Sequence, residues 1–323
     1  SSGNTIHTCD RWKTYASSAG TWTQTQEALT SGDAYNDGFS NSLKLDCTTA
    51  NGSLSSGSYL MVAQSIEAQN LQYIKKGTSE AEQLTVSFWV KSTKTGTNIV
   101  QFVNLDNTVR ICAKSYTINS SDTWEKKTLT IPADTSSTGK IANDNGEGLR
   151  MIFWIAAGTN FTSGTLATTW QNTNNPDRAV GQVNNADSTS NNFEITGVQL
   201  ETGTSASDFE FLPVDVNLKR CQRYYETNFI FFGIVCSDTT ARAIGHCRFM
   251  TPKRANPTVG QVSGSSADID FAFAGNSSFN TSFESSSTEG FRVYGDSLSP
   301  TRTIGTNGYW KHSNASIKAD SEI

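Results

Sequence analysis

Apolar and polar positions alternate over long parts of the chain. In Leu84-Thr85-Val86-Ser87-Phe88-Trp89-Val90-Lys91, Leu84, Val86, Phe88 and Val90 share one side, while Thr85, Ser87 and Lys91 share the other. A period of two predicts a half-buried β-strand. Trp124 to Ile131 alternates in the same way and ends at Pro132, and Phe193 to Leu200 repeats it around Gly197. Leu149 to Ala157 is continuously apolar and centred on Phe153 and Trp154. It is short and aromatic, which predicts a strand covered on both faces rather than a helix. Asn51-Gly52, Asn145-Gly146 and the polar stretch 171–192 punctuate the strands. Many short strands at such spacing predict a sandwich or barrel.

The pattern changes near Pro213. Asp215 to Tyr225 is the best helix candidate, with Asp215 as the cap and Leu218, Cys221 and Tyr225 at helical spacing. Beyond it, strand-like stretches fall at 227–236, 240–250, 269–274, 291–294 and 309–317. The expected organisation is all-β: an N-terminal β-sandwich (1–212), then a short linking helix leading a smaller C-terminal β-sandwich domain (213–323).

Composition sharpens this picture. Ser, Thr and Asn fill about a third of the 323 residues and only 17% are charged, a bias that would suit disorder. Seven Trp and an aromatic share of 10% argue instead for a packed core. No apolar run approaches the roughly 20 residues of a membrane-spanning helix, so no membrane insertion is expected. A net charge of −5 offers no basic footprint for nucleic acid. The N-terminus lacks both a signal-peptide pattern and an initiator Met, as expected of a processed or excised piece. The six Cys contain no CxxC pair, which disfavours metal knuckles. Buried thiols are the bland reading, with Cys236 and Cys247 set to face each other across a hairpin.

The catalytic inventory is thin. His7, His246 and His312 lie far apart, and no GxSxG, HExxH or P-loop pattern occurs. Glycosidases need two opposed carboxylates. The candidates are Glu194 with Glu201, Asp208 with Glu210 and Asp268 with Asp270, and a solvated strand face is the better explanation of the pattern. The turn Asp33, Asn36 and Asp37 offers oxygen ligands for calcium without EF-hand spacing, so no cofactor is expected. Carbohydrate binding needs aromatic rings beside Asn, Asp and Gln. Trp170 in a polar loop, and Tyr309 and Trp310 after Asn307-Gly308, are the candidate ligand contacts. Trp12, Trp89, Trp124 and Trp154 sit in strand-like contexts and read as core.

The succession Asp10-Arg11-Trp12, Phe39 to Leu45, Gln64 to Glu67, Thr85 to Ser92, Asp122 to Leu129, Ile195 to Gly203, Asp208-Phe209-Glu210 and Arg220 to Tyr225 resembles distal modules of bacteriophage and prophage tail fibres. It covers roughly residues 9–226, and the 197–201 and 221–225 segments are its most specific part. The resemblance implies a jelly-roll sandwich like that of carbohydrate-binding modules, in a homotrimeric, non-enzymatic virion appendage. Its partners would be a host-surface glycan or receptor, and other virion proteins reached through an N-terminal region missing from this chain. The nearly continuous apolar stretch Asn228 to Val235 is expected to pack one face on a partner subunit, or else to be a central strand buried on both sides. Two alternatives stand beside this one. One is a structural or decorating virion protein without a receptor role. The other is a polysaccharide depolymerase.

Overall fold

A computed structural model describes residues 6–9, 11–227, 229, 232–236, 243–261, 269–273, 275–285, 287–299, 307–312 and 317–322. The chain is all-β with few helices, and it divides into two compact units, 1–211 and 212–323.

The strands of the first unit are β1 (Ile6–Cys9), β2 (Trp12–Ser17), β3 (Thr21–Ala28), β4 (Asn41–Thr49), β5 (Tyr59–Glu67), β6 (Leu84–Ser92), β7 (Gly96–Asn104), β8 (Arg110–Ile118), β9 (Glu125–Ile131), β10 (Glu147–Ala157), β11 (Gln171–Asn172) and β12 (Asn192–Thr202). One-turn helices α1 (Asp33–Asn36) and α2 (Thr159–Thr162) sit in its loops. Seven strands form one antiparallel sheet in the order β1-β2-β5-β10-β7-β8-β11, and five form the other in the order β3-β4-β12-β6-β9. The chain passes repeatedly from one sheet to the other, in the manner of a jelly roll.

Strand alternation decides what each sheet gives to the space between them. Leu43, Leu45, Val86, Phe88, Val90, Phe193 and Ile195 come from the five-stranded sheet, and Leu60, Val62, Phe102, Met151 and Phe153 from the seven-stranded one. Phe88 is the hub of this core. Its ring meets those of Phe153 at 5.0 Å and Tyr116 at 5.2 Å, both edge-to-face. The Cys47 and Cys112 thiols are free and buried. Burial pushes the Cys112 thiol up to about 12.

The outer face of β6 is covered as well, which corrects its half-buried reading. Thr85 and Ser87 are buried. Thr85 Oγ1 donates to the Gly203 carbonyl at 2.7 Å, because the segment after β12 folds back over this face. Ser207 N and Glu210 N pin that segment to Glu201 and Gln199 of β12. Trp89 and Trp124 are buried, but on the outer side, in a cluster with Leu29, Ala34 and Phe39. Gly197 sits at the expected bulge: the β12–β6 register shifts between Thr196 and Gln199. Its φ is +58°, and a Cβ there would lie 2.5 Å from the Phe39 ring. Glycine is therefore required both for the backbone and for the close approach.

The second unit holds α3 (Val214–Gln222), β13 (Tyr225–Thr227), β14 (Phe232–Cys236), β15 (Ala243–Arg248), β16 (Thr258–Gln261), β17 (Ile269–Phe273), β18 (Gly275–Ser285), β19 (Gly290–Ser299), β20 (Asn307–His312) and β21 (Ile317–Asp320). A three-stranded sheet runs β13-β21-β16, and the pairings β14-β15-β19-β18-β17-β20 return to β14. Pro213, not Asp215, precedes the first turn of α3, and no side chain caps it. Asp215 lies inside that turn and Lys219 and Arg220 in the last, an arrangement that complements the helix dipole. The strand register places Cys236 opposite Ala243 and Cys247 opposite Phe291, so the expected facing of the two Cys across the β14–β15 hairpin is not formed. Of the expected contact stretch, Asn228, Ile230 and Phe231 lie outside the described residues, while Phe229 packs on Phe249 and Phe291.

Candidate functional site

The outer face of the five-stranded sheet carries a cleft of about 330 Å³. Register builds it. Ile195 of β12 pairs with Leu43 of β4 and Val90 of β6. Their neighbours Glu194, Lys44 and Lys91 therefore align on the opposite face, where Ser42 and Asn192 also point. Glu27 and Ala28 of β3, Leu29 to Ser31, Asp122 and Trp124 complete the walls.

Glu194 is the centre of this cleft and is 2% exposed. Lys91 Nζ lies 3.0 Å from its Oε1, and Ser42 Oγ donates to its Oε2 at 2.9 Å. Lys91 Nζ is also 3.8 Å from Asp122 and 5.4 Å from the centre of the Trp124 ring. Burial opposes charge on Lys44, but Asp46 at 3.3 Å outweighs it and holds the amine above its ordinary pKa. Asn192 Oδ1 is buried at the cleft wall without a hydrogen-bond partner. An acceptor so placed costs free energy until a donor meets it. The cleft thus pairs fixed carboxylates and ammonium groups with an unpaired amide acceptor buried in its wall and the edge of a buried indole. It can bracket a polyhydroxylated ligand. Both oxygens of Glu194 are engaged, Oε1 by Lys91 and Oε2 by Ser42.

Beside it, Phe39, Phe209 and Phe211 pack together at 4.8–5.1 Å, and Asp208 lies on the wall of a smaller cavity there. Asp37 lines the same cavity, 3.8 Å from Lys126. Among the described residues no group of His, Cys, Asp or Glu is arranged to hold a metal.

Among the described residues, Glu194 and Glu201 serve different places. Glu201 accepts hydrogen bonds from Ser207 and Gln199, which hold the 203–211 segment, while Glu194 serves the cleft. Asp268 lies outside the described residues, as does the side chain of Asp270.

Trp170 is placed elsewhere. Its indole N–H donates to the Pro132 carbonyl at 2.9 Å, and Lys76 Nζ lies 3.6 Å from the centre of its ring. Lys76 also bonds Asp134, whose two oxygens each accept from Arg110 at 2.9 Å. Trp170 thus closes one end of the core with its face already occupied. Tyr309 and Trp310 lie on β20, not on a loop, and their side chains are outside the described residues. Sequence reasoning missed Lys91, Ser42, Lys44 and Asn192. It weighed Glu194 only with Glu201, and Trp124, read as core, is buried and also lines the cleft.

No family model and no curated protein matches the chain. Among solved structures, the enzymatically active domain of tailspike protein 4 of bacteriophage CBA120 is similar at 14% identity and a TM-score of 0.33, over 59% of this chain and 19% of that one. This chain therefore spans about a fifth of the tailspike's length. The family 11 carbohydrate-binding module of the Clostridium thermocellum cellulase Lic26A-Cel5E is similar at 11% identity and a TM-score of 0.30, over 64% of this chain and 98% of that one. The N-terminal modules of xylanase 10B from the same organism, determined with xylohexaose, align at 12% identity and a TM-score of 0.31, over 65% of this chain and 30% of that one. At these scores the likenesses carry no functional argument.

Proposed function

We propose that the chain is a virion appendage module that binds host-surface glycan without cleaving it, through the cleft around Glu194. The observation that carries this reading is the Glu194–Lys91–Ser42 bracket beside the unpartnered Asn192 Oδ1. Sugar hydroxyls are both donors and acceptors. They would give protons to Asn192 Oδ1, Glu27 and Asp122 and take them from Lys44 and Lys91, with Trp124 against the ring. The second unit would form the distal tip, where Tyr309 and Trp310 stay candidate contacts. Three chains would associate and multiply weak affinities. A glycan array probed with the wild type and Asn192→Ala tests the cleft. Selective retention of one glycan class, lost in the variant, is expected; an empty array refutes the reading. The solution mass of the chain tests the homotrimer, and a monomer refutes it. Locating the chain on a particle separates a receptor role from a decorating one.

A further inference from the structure

The outer face of the seven-stranded sheet presents a different chemistry. Tyr15 of β2 pairs with Met61 of β5, and Met61 with Trp154 of β10, so the three side chains form one row on this face. Phe161 packs on Trp154 at 5.3 Å and on Tyr59 at 5.8 Å. Arg178 lies over these rings. Its guanidinium carbon is 5.2 Å from the centre of Trp154 and 5.8 Å from that of Phe161. Its Nε and Nη2 both donate to Gln101 Oε1, at 3.3 and 3.2 Å, and the Trp154 indole donates to the same oxygen at 3.2 Å.

Among the described residues no carboxylate bonds Arg178. The adjacent Asp177 is turned away. Its Oδ1 accepts from Thr165 N, and its Oδ2 from Gln171 and Asn174. The neighbouring Arg150 is already paired with Glu147, Nε to Oε1 at 2.7 Å, and sits 5.5 Å from the Tyr15 ring. Lys13 Nζ is 5.4 Å from the same ring. Lys13, Arg150 and Arg178 thus stand near this row of rings, with Glu147 taken by Arg150. Burial, with Arg150 adding to it, pulls Arg178 down to about 10. A cation held in place without a counter-ion is costly, and with Nε and Nη2 given to Gln101 the Nη1 edge of the guanidinium is the one left to meet an oxyanion. Tyr15, Tyr59, Met61 and Phe161 are only partly buried, so apolar surface lies open beside the charge.

We propose that this face is a second recognition site, specific for a carboxylated sugar, with Arg178 receiving the carboxylate and the tyrosine–methionine row meeting the pyranose ring. It is separate from the Glu194 cleft and stands whether or not that cleft binds glycan.

The test is a titration of the full chain with an oligogalacturonate, a neutral galacto-oligosaccharide and inorganic sulfate. It is read by the Arg178 Nε–Hε NMR resonance and by calorimetry. The uronate is expected to shift that resonance saturably, and the neutral sugar to leave it in place. Arg178→Lys keeps a charge but loses the fork, so at least about tenfold weaker binding is expected. The wild-type resonance settles the matter if the Arg178 variant unfolds. No shift with the uronate, a neutral sugar shifting it as strongly, or equal affinity in Arg178→Lys each overturns the site. Sulfate reproducing the uronate's shift at the same concentration also overturns it, as an adventitious ion only.

Discussion

Asp134→Asn removes the carboxylate that holds two buried cations at one end of the first unit. The side chains of Asp134, Lys76 and Arg110 are 2%, 4% and 10% exposed. Burial alone would raise the Asp134 pKa, but hydrogen bonds from Arg110 and Lys76 outweigh it and hold the acid below its ordinary value. Lys76 is pulled down by burial to about 8 even with that partner. Without the carboxylate, both cations stay where water cannot reach them. Breaking a buried pair by deleting one partner costs about 3–5 kcal/mol. For a unit of this size each kcal/mol lowers Tm by about 2–4 °C, so a fall of roughly 6–20 °C is expected in the first unit's calorimetric transition. Lys76→Met should behave differently. It removes a desolvated charge, keeps the Arg110–Asp134 fork and leaves an apolar chain against Trp170, so a change within about 1 kcal/mol is expected. The sign of the pH effect follows as well. Between pH 8 and 10.5 the unfolded chain retains the Lys76 proton that the folded chain has lost, so stability gains from Lys76 as pH rises there. That gain should vanish in Lys76→Met. The reasoning is refuted if Asp134→Asn lowers Tm by less than about 3 °C, or if Lys76→Met costs as much as Asp134→Asn.

Gly197→Ala adds a Cβ in a left-handed conformation against Phe39. A loss of about 2 kcal/mol or more in urea titration is expected, and a neutral result would mean that the bulge is not formed. Trp170→Ala should destabilise the first unit by up to about 3 kcal/mol while leaving glycan affinity unchanged, as chemical unfolding and array binding together can check. Burial pushes the Glu125 pKa up, but hydrogen bonds from Lys127, Ser120 and Asn119 bring it down to about 2. Its stabilising contribution is complete above about pH 4.5 and is lost towards pH 2. In Glu125→Gln the acid limb of the Tm profile should flatten over that window.

The strongest strands were legible because their burial is written in single-residue alternation. β6, β10 and β12 fall where the pattern places them, and the glycine at the β12 bulge was visible as an interruption. β16 and β18 were missed. Thr258–Gln261 is too short, and Gly275–Ser285 is mostly Ser and Asn, so pairing with neighbours rather than side-chain pattern makes them strands. The helix was readable but its cap was not, because Pro213 sets the entry where a capping side chain was expected. The cleft was the least legible feature. Ser42, Lys91 and Glu194 are adjacent only through the β4–β12–β6 register, which no local pattern records. Trp124 read as core from its strand-like context and is buried, in a cluster with Leu29, Ala34 and Phe39 on the outer face. A polar loop surrounds Trp170 in sequence, while in space its indole meets Lys76 and the Pro132 carbonyl.

Calorimetric titration of the full chain with the glycan that the array selects tests the central claim most directly, comparing the wild type with Asn192→Ala and Trp170→Ala. Losing one buried hydrogen bond to the ligand corresponds to roughly 1–3 kcal/mol, or about a 5- to 150-fold weaker Kd, in Asn192→Ala. Trp170→Ala should bind as the wild type does. Wild-type affinity in Asn192→Ala, or a loss confined to Trp170→Ala, would contradict the assignment of the cleft.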